Sequence, residues 1–511
     1  MDDTPPRADG SADGSRTIRA AFAIVGCCLA VLPFTAVTYA PATDLPQHLA
    51  QIRLLEELLG SAPRTMDASE LAIQWSSPNV LVYLPLYLAV RLFGPVLGGK
   101  VLLAALVLLQ TLVIHWVAAR RGRPPGAAVL AGIFVFSNAL YWGFLNFLLA
   151  VPFLLLFVDH ASRPVDPGRR ARDFAVTMTL GLLGYATHSL ALLVGMVATV
   201  GFALSRRDRP RDLATRGLAL VPVLVAAALW FPRLSARRRT FGFDTAPHWW
   251  TTPLDRLSPT IGEDIVLGGL HGVLEPATLV AVAVYAVACV VFRVAGTQTK
   301  TDRSLLAVGV GLVVFVLVAP NQYMTTIHFA YRFAAPAAML LLLALPEARL
   351  GRWFAQLLPL AIVTLFSLGT TVGWVLFEQT SLSGLTHALR QQPGPARVLG
   401  LDFARQSPIV KGQPLLQIFA YAQAVHGGTL NFSFAEHGTG IVSYRHRRRI
   451  AWTPALEWFP RKVAASDLER FDYVFVVGTD QDHGVFQQLS HAAPLATEGS
   501  VRLYRPLASR R

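Results

Sequence analysis

The sequence predicts an α-helical polytopic membrane protein of about eleven transmembrane helices, followed by a small C-terminal α/β domain outside the membrane. Of its 511 residues, 53% are hydrophobic and only 15% are charged, and the mean hydropathy is +0.46. Apolar stretches recur over roughly the first three quarters of the chain. Most arginines fall in short clusters between these stretches, so the net charge of +14 indicates membrane topology rather than nucleic-acid binding.

Twelve apolar stretches are candidates for the crossings. The stretch at 80–97 contains Pro85, Arg91, Gly94 and Pro95, which favours a helix lying beside or half inside the membrane. If it does not cross, five basic clusters all fall in the cytoplasm, with the N-terminus inside and the C-terminus outside. The clusters lie at 120–123, 163–172, 206–216, 293–303 and 349–352. The stretches are 20–40, 80–97, 101–119, 127–141, 144–159, 173–187, 189–205, 217–232, 276–293, 304–319, 333–346 and 353–377.

This topology divides the chain into three parts in a bacterial inner membrane. Residues 1–17 are rich in Pro, Gly and Asp, which predicts a disordered cytoplasmic N-terminus. Residues 18–377 form the membrane domain, and residues 378–511 form a periplasmic α/β domain. The membrane domain has outer loops at 41–100 and 232–275. In the tail, 396–403 and 471–480 are typical of buried strands, 500–505 of an edge strand and 414–427 of a helix.

The first outer loop begins with an acid and a histidine four residues apart. Asp44 and His48 share one face if a helix begins near residue 44, and the apolar residues that follow would lay that helix along the membrane surface. Asp is also a favoured N-cap, and Pro46 suits a first turn, so the local sequence alone favours a cap. Asp44 and His48 are therefore either a catalytic pair or the start of a helix.

Two further outer turns carry polar side chains at membrane depth. Asn138 and Asn146 lie in the turn 136–147, and His188 lies at the outer end of the next hairpin. Polar groups at this depth normally face protein or a water-filled cavity, so we expect them to line a substrate cavity. The alternative is a hydrogen-bonded hairpin turn with a structural histidine.

The stretch 319–345 places a polar group just before an apolar helix. An arginine there is well placed to pair with a phosphate, because its planar fork matches two phosphate oxygens. The alternative for a lone arginine is snorkelling to lipid headgroups. In the loop 232–275, His248 is a further candidate for the cavity, beside two tryptophans. The polar group at the start of the stretch 319–345 consists of Asn321, Gln322, His328, Tyr331 and Arg332.

The segment "YRFAAPAAMLLLLAL" (331–345) resembles the Arg-aromatic-x-x-Pro segment of the GT-C superfamily of membrane glycosyltransferases, which includes lipid A aminoarabinose transferases and protein O-mannosyltransferases. The early chain is similar too: one crossing, an outer loop with an acid near its start, and a Pro-rich juxtamembrane segment (76–94). The resemblance implies a polyprenyl-phosphate-linked sugar as donor. It implies Asp44 as the catalytic carboxylate, and Arg332, with Tyr331 beside it, as the group that binds the donor phosphate.

We therefore expect an inverting GT-C-type hexosyl or pentosyl transferase with an unidentified glycan, lipid or protein acceptor. A transporter or flippase of a lipid-linked saccharide and a non-catalytic assembly subunit remain alternatives. No cofactor is certain: His48 could orient Asp44, or Asp44, His48 and His188 could hold a divalent metal ion. The three cysteines all lie in apolar stretches and predict neither a disulfide framework nor a thiolate metal site.

Overall fold

The computed structural model describes residues 10–292, 300–346, 351, 353–438, 440–490 and 492–507. Helix α1 begins at Gly10, so the prediction of disorder is wrong for residues 10–17; residues 1–9 lie outside the described residues. The physical reason is that extending an existing helix costs far less than starting one. The helices up to residue 240 are α1 (Gly10–Ala36), α2 (Leu45–Leu58), α3 (Tyr83–Phe93), α4 (Pro95–Arg120), α5 (Pro125–Ala131), α6 (Asn138–Tyr141), α7 (Leu145–Ala161), α8 (Arg170–Thr187), α9 (Ser189–Arg206) and α10 (Pro210–Thr240).

The second half of the membrane region is built in the same way. The 3-10 turn Tyr331–Phe333 leads directly into α14, so Arg332 lies immediately before an apolar helix. The helices are α11 (Pro259–Val266), α12 (Leu274–Val291), α13 (Arg303–Val318), α14 (Ala334–Ala344) and α15 (Leu358–Thr380).

Six helices are long and apolar enough to cross a membrane within the described residues. Four of these spans are α4, α9, α10 and α12. The other two are Arg16–Ala36, which is part of α1, and Phe354–Thr380, which includes α15. Five shorter apolar segments accompany them, namely Tyr83–Phe93, Pro125–Tyr141, Leu145–Ala161, Arg303–Val318 and Tyr331–Ala344. The count of eleven crossings stays a prediction.

The tail contains a five-stranded mixed sheet in the order β3-β2-β5-β7-β6. Strands β3, β2 and β5 are parallel, whereas β7 runs antiparallel between β5 and β6. The predicted edge strand at 500–505 is therefore an interior strand, and only part of the predicted helix 414–427 is helical. The elements are α16 (Leu385–Gln391), β2 (Ala396–Asp402), α17 (Ala420–His426), β3 (Gly428–Leu430), β4 (Val442–Tyr444), α18 (Ala465–Leu468), β5 (Tyr473–Val477), α19 (Asp480–Ser490), β6 (Ala493–Ala496) and β7 (Val501–Arg505).

The tail is fastened to the first outer loop. Strand β4 pairs antiparallel with β1 (Leu71–Ile73), and α17 packs on α2. The amide of Gln47 donates to Gln417 Oε1 at 2.9 Å, and the backbone N–H of Val442 donates to Gln51 Oε1 at 2.9 Å. Helix α2 is consequently buried on nearly all sides, and its position along the membrane surface stays a prediction. The tail covers the residues that follow Asp44.

Candidate active site

A cavity of about 360 Å³ lies between the membrane helices and the tail; we call it the Asp44 cavity. Its floor and walls come from the start of α2, the turn before α7, the α8–α9 connection, the outer part of α10 and the loop 323–332. The tail contributes Leu416, Gln417, Phe432, Phe434, His437, Gly440 and Trp458. Of the residues predicted from the sequence, Asp44, His48, Asn146, His188 and Arg332 line it.

Asp44 occupies the N-cap position of α2, but its side chain makes no capping hydrogen bond. Its backbone N–H donates to Trp142 O at 3.0 Å, so the neighbouring turn holds the chain and leaves the carboxylate free. No hydrogen bond or ion pair of that carboxylate occurs among the described residues. Burial raises the pKa of Asp44 to about 8, although the charge of Arg332 lowers it. An unengaged carboxylate with such a pKa suits a proton acceptor better than a cap.

Gly143 permits this close approach of the two loops. Its φ of +73° favours glycine, and a Cβ there would lie 3.0 Å from the backbone nitrogens of Asp44 and Leu45. The backbone that positions Asp44 therefore requires the glycine of the sequence "YWGF".

Arg332 lies across the cavity on the turn before α14. Its Nη2 donates to Ile327 O at 2.9 Å, and its guanidinium stacks 3.6 Å from the Phe144 ring centroid. Its Nε is buried and has no hydrogen-bond partner among the residues that the structure describes. Asp44 and Arg332 influence each other electrostatically, yet they form no ion pair within 4 Å. The arrangement leaves both charges available to a ligand between them.

His48 stands beside Asp44 as a neutral ring. Its Nδ1 lies 2.8 Å from the hydroxyl of Tyr83. Burial lowers the pKa of His48 to about 3, although a hydrogen bond to the backbone of Gly143 acts in the opposite direction and raises it. A ring that stays neutral at physiological pH can fix geometry but is a poor proton shuttle, so we assign it to positioning.

His188 and Asn146 present buried polar atoms without partners among the described residues. These atoms are His188 Nδ1 and Asn146 Oδ1. Burial, followed by the charge of Arg332, lowers the pKa of His188 to about 3, so this ring is also neutral. Buried polar atoms normally have partners, and unsatisfied ones that line a cavity are natural contacts for a polar ligand.

The residues do not support the metal alternative. Among the described residues, no group of three His, Cys, Asp or Glu side chains is placed to hold a metal ion. Asp44, His48 and His188 share the cavity without forming such a set.

Six predicted site residues lie outside the cavity. Asn138 donates to Asp264 O at 3.3 Å, and His328 packs 4.7 Å from the Trp142 ring, behind the cavity wall. His248 lies 2.7 Å from Asp244 in the outer loop and bridges to the backbone of Gln322. The lining of the cavity includes none of these six, so this geometry gives no support to the prediction that five of them contact the substrate and that Tyr331 binds the donor phosphate. The six are Asn138, His248, Asn321, Gln322, His328 and Tyr331.

Tyr331 and Asn321 belong to a buried network around Arg256. The Tyr331 hydroxyl lies 2.6 Å from Thr251 Oγ1 and is therefore not placed to bind a donor phosphate. Arg256 donates to Val316 O, Ala319 O and Asn321 Oδ1, each at 2.7 Å. This network ties the outer loop to the end of α13 and to the segment that carries Arg332.

We predict that Arg256→Gln destabilises the protein by about 2–4 kcal/mol, because it leaves buried carbonyls unpaired. Thermal unfolding of the purified protein in detergent measures this. Arg233→Gln, an exposed position on α10, is the matched control and should leave the melting temperature unchanged. Equal melting temperatures for both variants would contradict the structural role.

Sequence reasoning missed a second guanidinium in the cavity. Arg238 is 5% exposed, lines the cavity, and has no carboxylate oxygen within 4 Å among the described residues. It follows Trp230 and Leu234 at four-residue spacing on one face of α10. The available signal was "RLSARRR" (233–239), a basic run in a loop that the sequence predicts to be on the outer side, where basic residues are unusual.

No protein-family model and no curated protein sequence matches this chain. Two solved structures are similar to it. ArnT from Cupriavidus metallidurans in the apo state has a TM-score of 0.54 and 13% identity, covering 98% of this chain and 99% of ArnT. ArnT from the same organism bound to undecaprenyl phosphate has a TM-score of 0.53 and 13% identity, also covering 98% and 99%. The chain therefore has an ArnT-like fold over nearly its whole length, which confirms the GT-C-like fold that the sequence resemblance implied.

Proposed function

We propose that this chain is an inverting membrane glycosyltransferase that takes a sugar from a polyprenyl-phosphate donor on the outer side of the inner membrane. The observation that carries the proposal is that Asp44 and Arg332, distant in sequence, line one cavity without pairing with each other. One can accept a proton and the other can hold a phosphate, with space for the reacting sugar between them. The similarity to ArnT bound to undecaprenyl phosphate supports a lipid-linked donor.

The transfer step follows from these positions. The acceptor hydroxyl oxygen attacks the anomeric carbon while its proton passes to the Asp44 carboxylate. The bond between the anomeric carbon and the phosphate oxygen breaks, its electron pair leaves with the polyprenyl phosphate, and the configuration inverts. Arg332 stabilises the charge that develops on the departing phosphate, which is typically a large contribution to the rate.

The wall formed by α10 suits a lipid substrate. Trp230, Phe231 and Leu234 line the cavity, and Phe231 is 47% exposed. Arg238 ends this apolar face with a buried charge that has no acidic partner in the described part of the chain, which is costly unless an anion enters. We assign Arg238 to a second anionic group, carried by the acceptor.

Binding of undecaprenyl phosphate to the purified protein tests the proposal. The cavity contains Trp142, Trp230 and Trp458, so tryptophan fluorescence reports occupancy. We expect saturable quenching by undecaprenyl phosphate and at least tenfold weaker quenching by undecaprenol, which has no phosphate. Equal affinity for both lipids would remove the assignment.

The pKa of Asp44 predicts the pH profile of transfer. A general base must be unprotonated, and the raised pKa keeps Asp44 mostly protonated at neutral pH. We therefore expect kcat/KM to rise about tenfold per pH unit up to about pH 8 and then to level off. The residual rate of Asp44→Asn should lack this rise. A wild-type profile that is flat between about pH 6 and about pH 8 would contradict the assignment of Asp44 as the base.

A further inference from the structure

A second and larger cavity, of about 940 Å³, opens at the opposite end of the membrane bundle; we call it the Arg19 cavity. It lies between the start of α1, the end of α4 and the connection from α7 to α8. Leu112, Trp116 and Leu156 form part of an apolar wall, and Leu112 and Trp116 are half exposed. Its mouth is ringed by Arg19, Arg120, Arg123, Arg163, Arg169 and Arg172.

The acids in this cavity are already engaged. Three aspartates line it, and each lies within 4 Å of at least one arginine. Their charges are therefore balanced by protein cations and leave the remaining arginines uncompensated. The pairs are Asp159 with Arg121 at 2.6 Å and Arg163 at 2.9 Å, Asp173 with Arg216 at 2.9 Å, and Asp166 with Arg169 at 3.5 Å.

Three guanidinium groups at the mouth have no carboxylate oxygen within 4 Å in the described part of the chain: those of Arg19, Arg123 and Arg172. Arg123 is buried and donates to Lys300 O at 2.7 Å, and Arg19 donates to Arg123 O at 3.2 Å. Arg172 is exposed. The mouth thus carries positive charge that only an external anion would balance.

His115 adds a polar atom deeper in the same cavity. It is 8% exposed, and its Nε2 has no hydrogen-bond partner among the described residues. It lies five residues before Arg120 on α4, which is roughly 7 Å further along the helix axis. From the mouth inward along α4, the cavity therefore presents cations, then Trp116 and His115 at nearly the same depth, then Leu112.

We propose that the Arg19 cavity binds an anionic diacyl phospholipid of the cytoplasmic leaflet. Basic pockets between transmembrane helices on the cytoplasmic side bind anionic lipid headgroups. The phosphate pairs with Arg19 and Arg172, the ester linkages lie at the depth of His115 and Trp116, and the acyl chains extend inward past Leu112. The arginine distribution, which places this end of the bundle in the cytoplasm, agrees with this occupant.

Native mass spectrometry of the full chain with phosphatidylglycerol and phosphatidylcholine of identical acyl chains tests the proposal. We expect the wild type to retain phosphatidylglycerol preferentially. The double variant Arg19→Ala/Arg172→Ala should bind phosphatidylglycerol about thirtyfold more weakly. Arg123 is left intact because its guanidinium donates hydrogen bonds to backbone carbonyl oxygens. The matched control is Arg209→Ala/Arg211→Ala, which removes two exposed arginines from the α9–α10 turn outside the cavity.

Equal retention of the two lipids by the wild type would overturn the proposal. So would equal losses in the two double variants, because that result would show a general effect of surface charge. Both measurements are independent of sugar transfer, so their failure is distinguishable from failure of the proposed enzymatic function.

Discussion

Replacing Asp44 with Asn should lower kcat/KM for sugar transfer by about 10²–10⁴-fold, the usual contribution of a general base. Asparagine keeps the size and the backbone contacts of the residue but cannot accept the acceptor's proton. The side chain makes no capping hydrogen bond, so helix α2 should not be weakened. Transfer from radiolabelled undecaprenyl-phosphate hexoses and pentoses, in membranes that contain the natural acceptor, measures the loss.

Stability and binding separate this effect from misfolding. Because the pKa of Asp44 is raised in the folded protein, its ionisation costs stability as the pH rises from about 4 to about 8. Asp44→Asn removes that cost, so its melting temperature above pH 8 should equal or exceed that of the wild type. Its affinity for undecaprenyl phosphate should be retained. The matched control Asp244→Asn removes an exposed acid of the outer loop and should leave transfer unchanged; an equal loss there would contradict a special role for Asp44.

Replacing Arg332 with Ala should lower kcat/KM by about 10²–10³-fold, because the departing phosphate loses its main electrostatic partner. Unlike Asp44→Asn, this change should also weaken undecaprenyl phosphate binding by about ten- to a hundredfold. Arg332→Lys should recover only part of both losses, since an ammonium lacks the planar fork that meets two phosphate oxygens. Transfer and fluorescence quenching are measured on the same preparations.

The control for Arg332 is Arg233→Ala, which removes an exposed guanidinium near the outer end of α10, outside the Asp44 cavity. It should leave both measurements unchanged. If Arg332→Ala bound undecaprenyl phosphate as tightly as the wild type, the assignment of Arg332 to the donor phosphate would be contradicted.

The sequence could predict the two central residues because both are ionisable groups at the ends of apolar stretches. Such positions are costly and usually functional. It could not separate Arg332 from Tyr331, since adjacent residues in a tight turn point to different sides. Arg332 enters the cavity, whereas Tyr331 binds Thr251 behind it. Asn321 also does not line the cavity, because its side-chain oxygen accepts a hydrogen bond from Arg256.

Contacts between segments that are distant in the sequence explain the features of the site that could not be predicted from it. Strand β1 in the first loop pairs with β4 in the tail, and no local pattern encodes that pairing. It brings His437, Gln417 and other tail residues to the cavity and buries α2. The sequence shows Arg238 only as part of an unusual basic run. Its burial depends on the tail, which covers this part of the cavity.

A double-mutant comparison tests the central claim most directly: transfer from radiolabelled undecaprenyl-phosphate sugars is measured for the wild type, Asp44→Asn, Arg332→Ala and the double variant. Residues that act on one transition state are strongly non-additive. We predict that each single change nearly abolishes transfer and that the double variant is about as slow as the slower single variant. Wild-type transfer in either single variant would contradict the account.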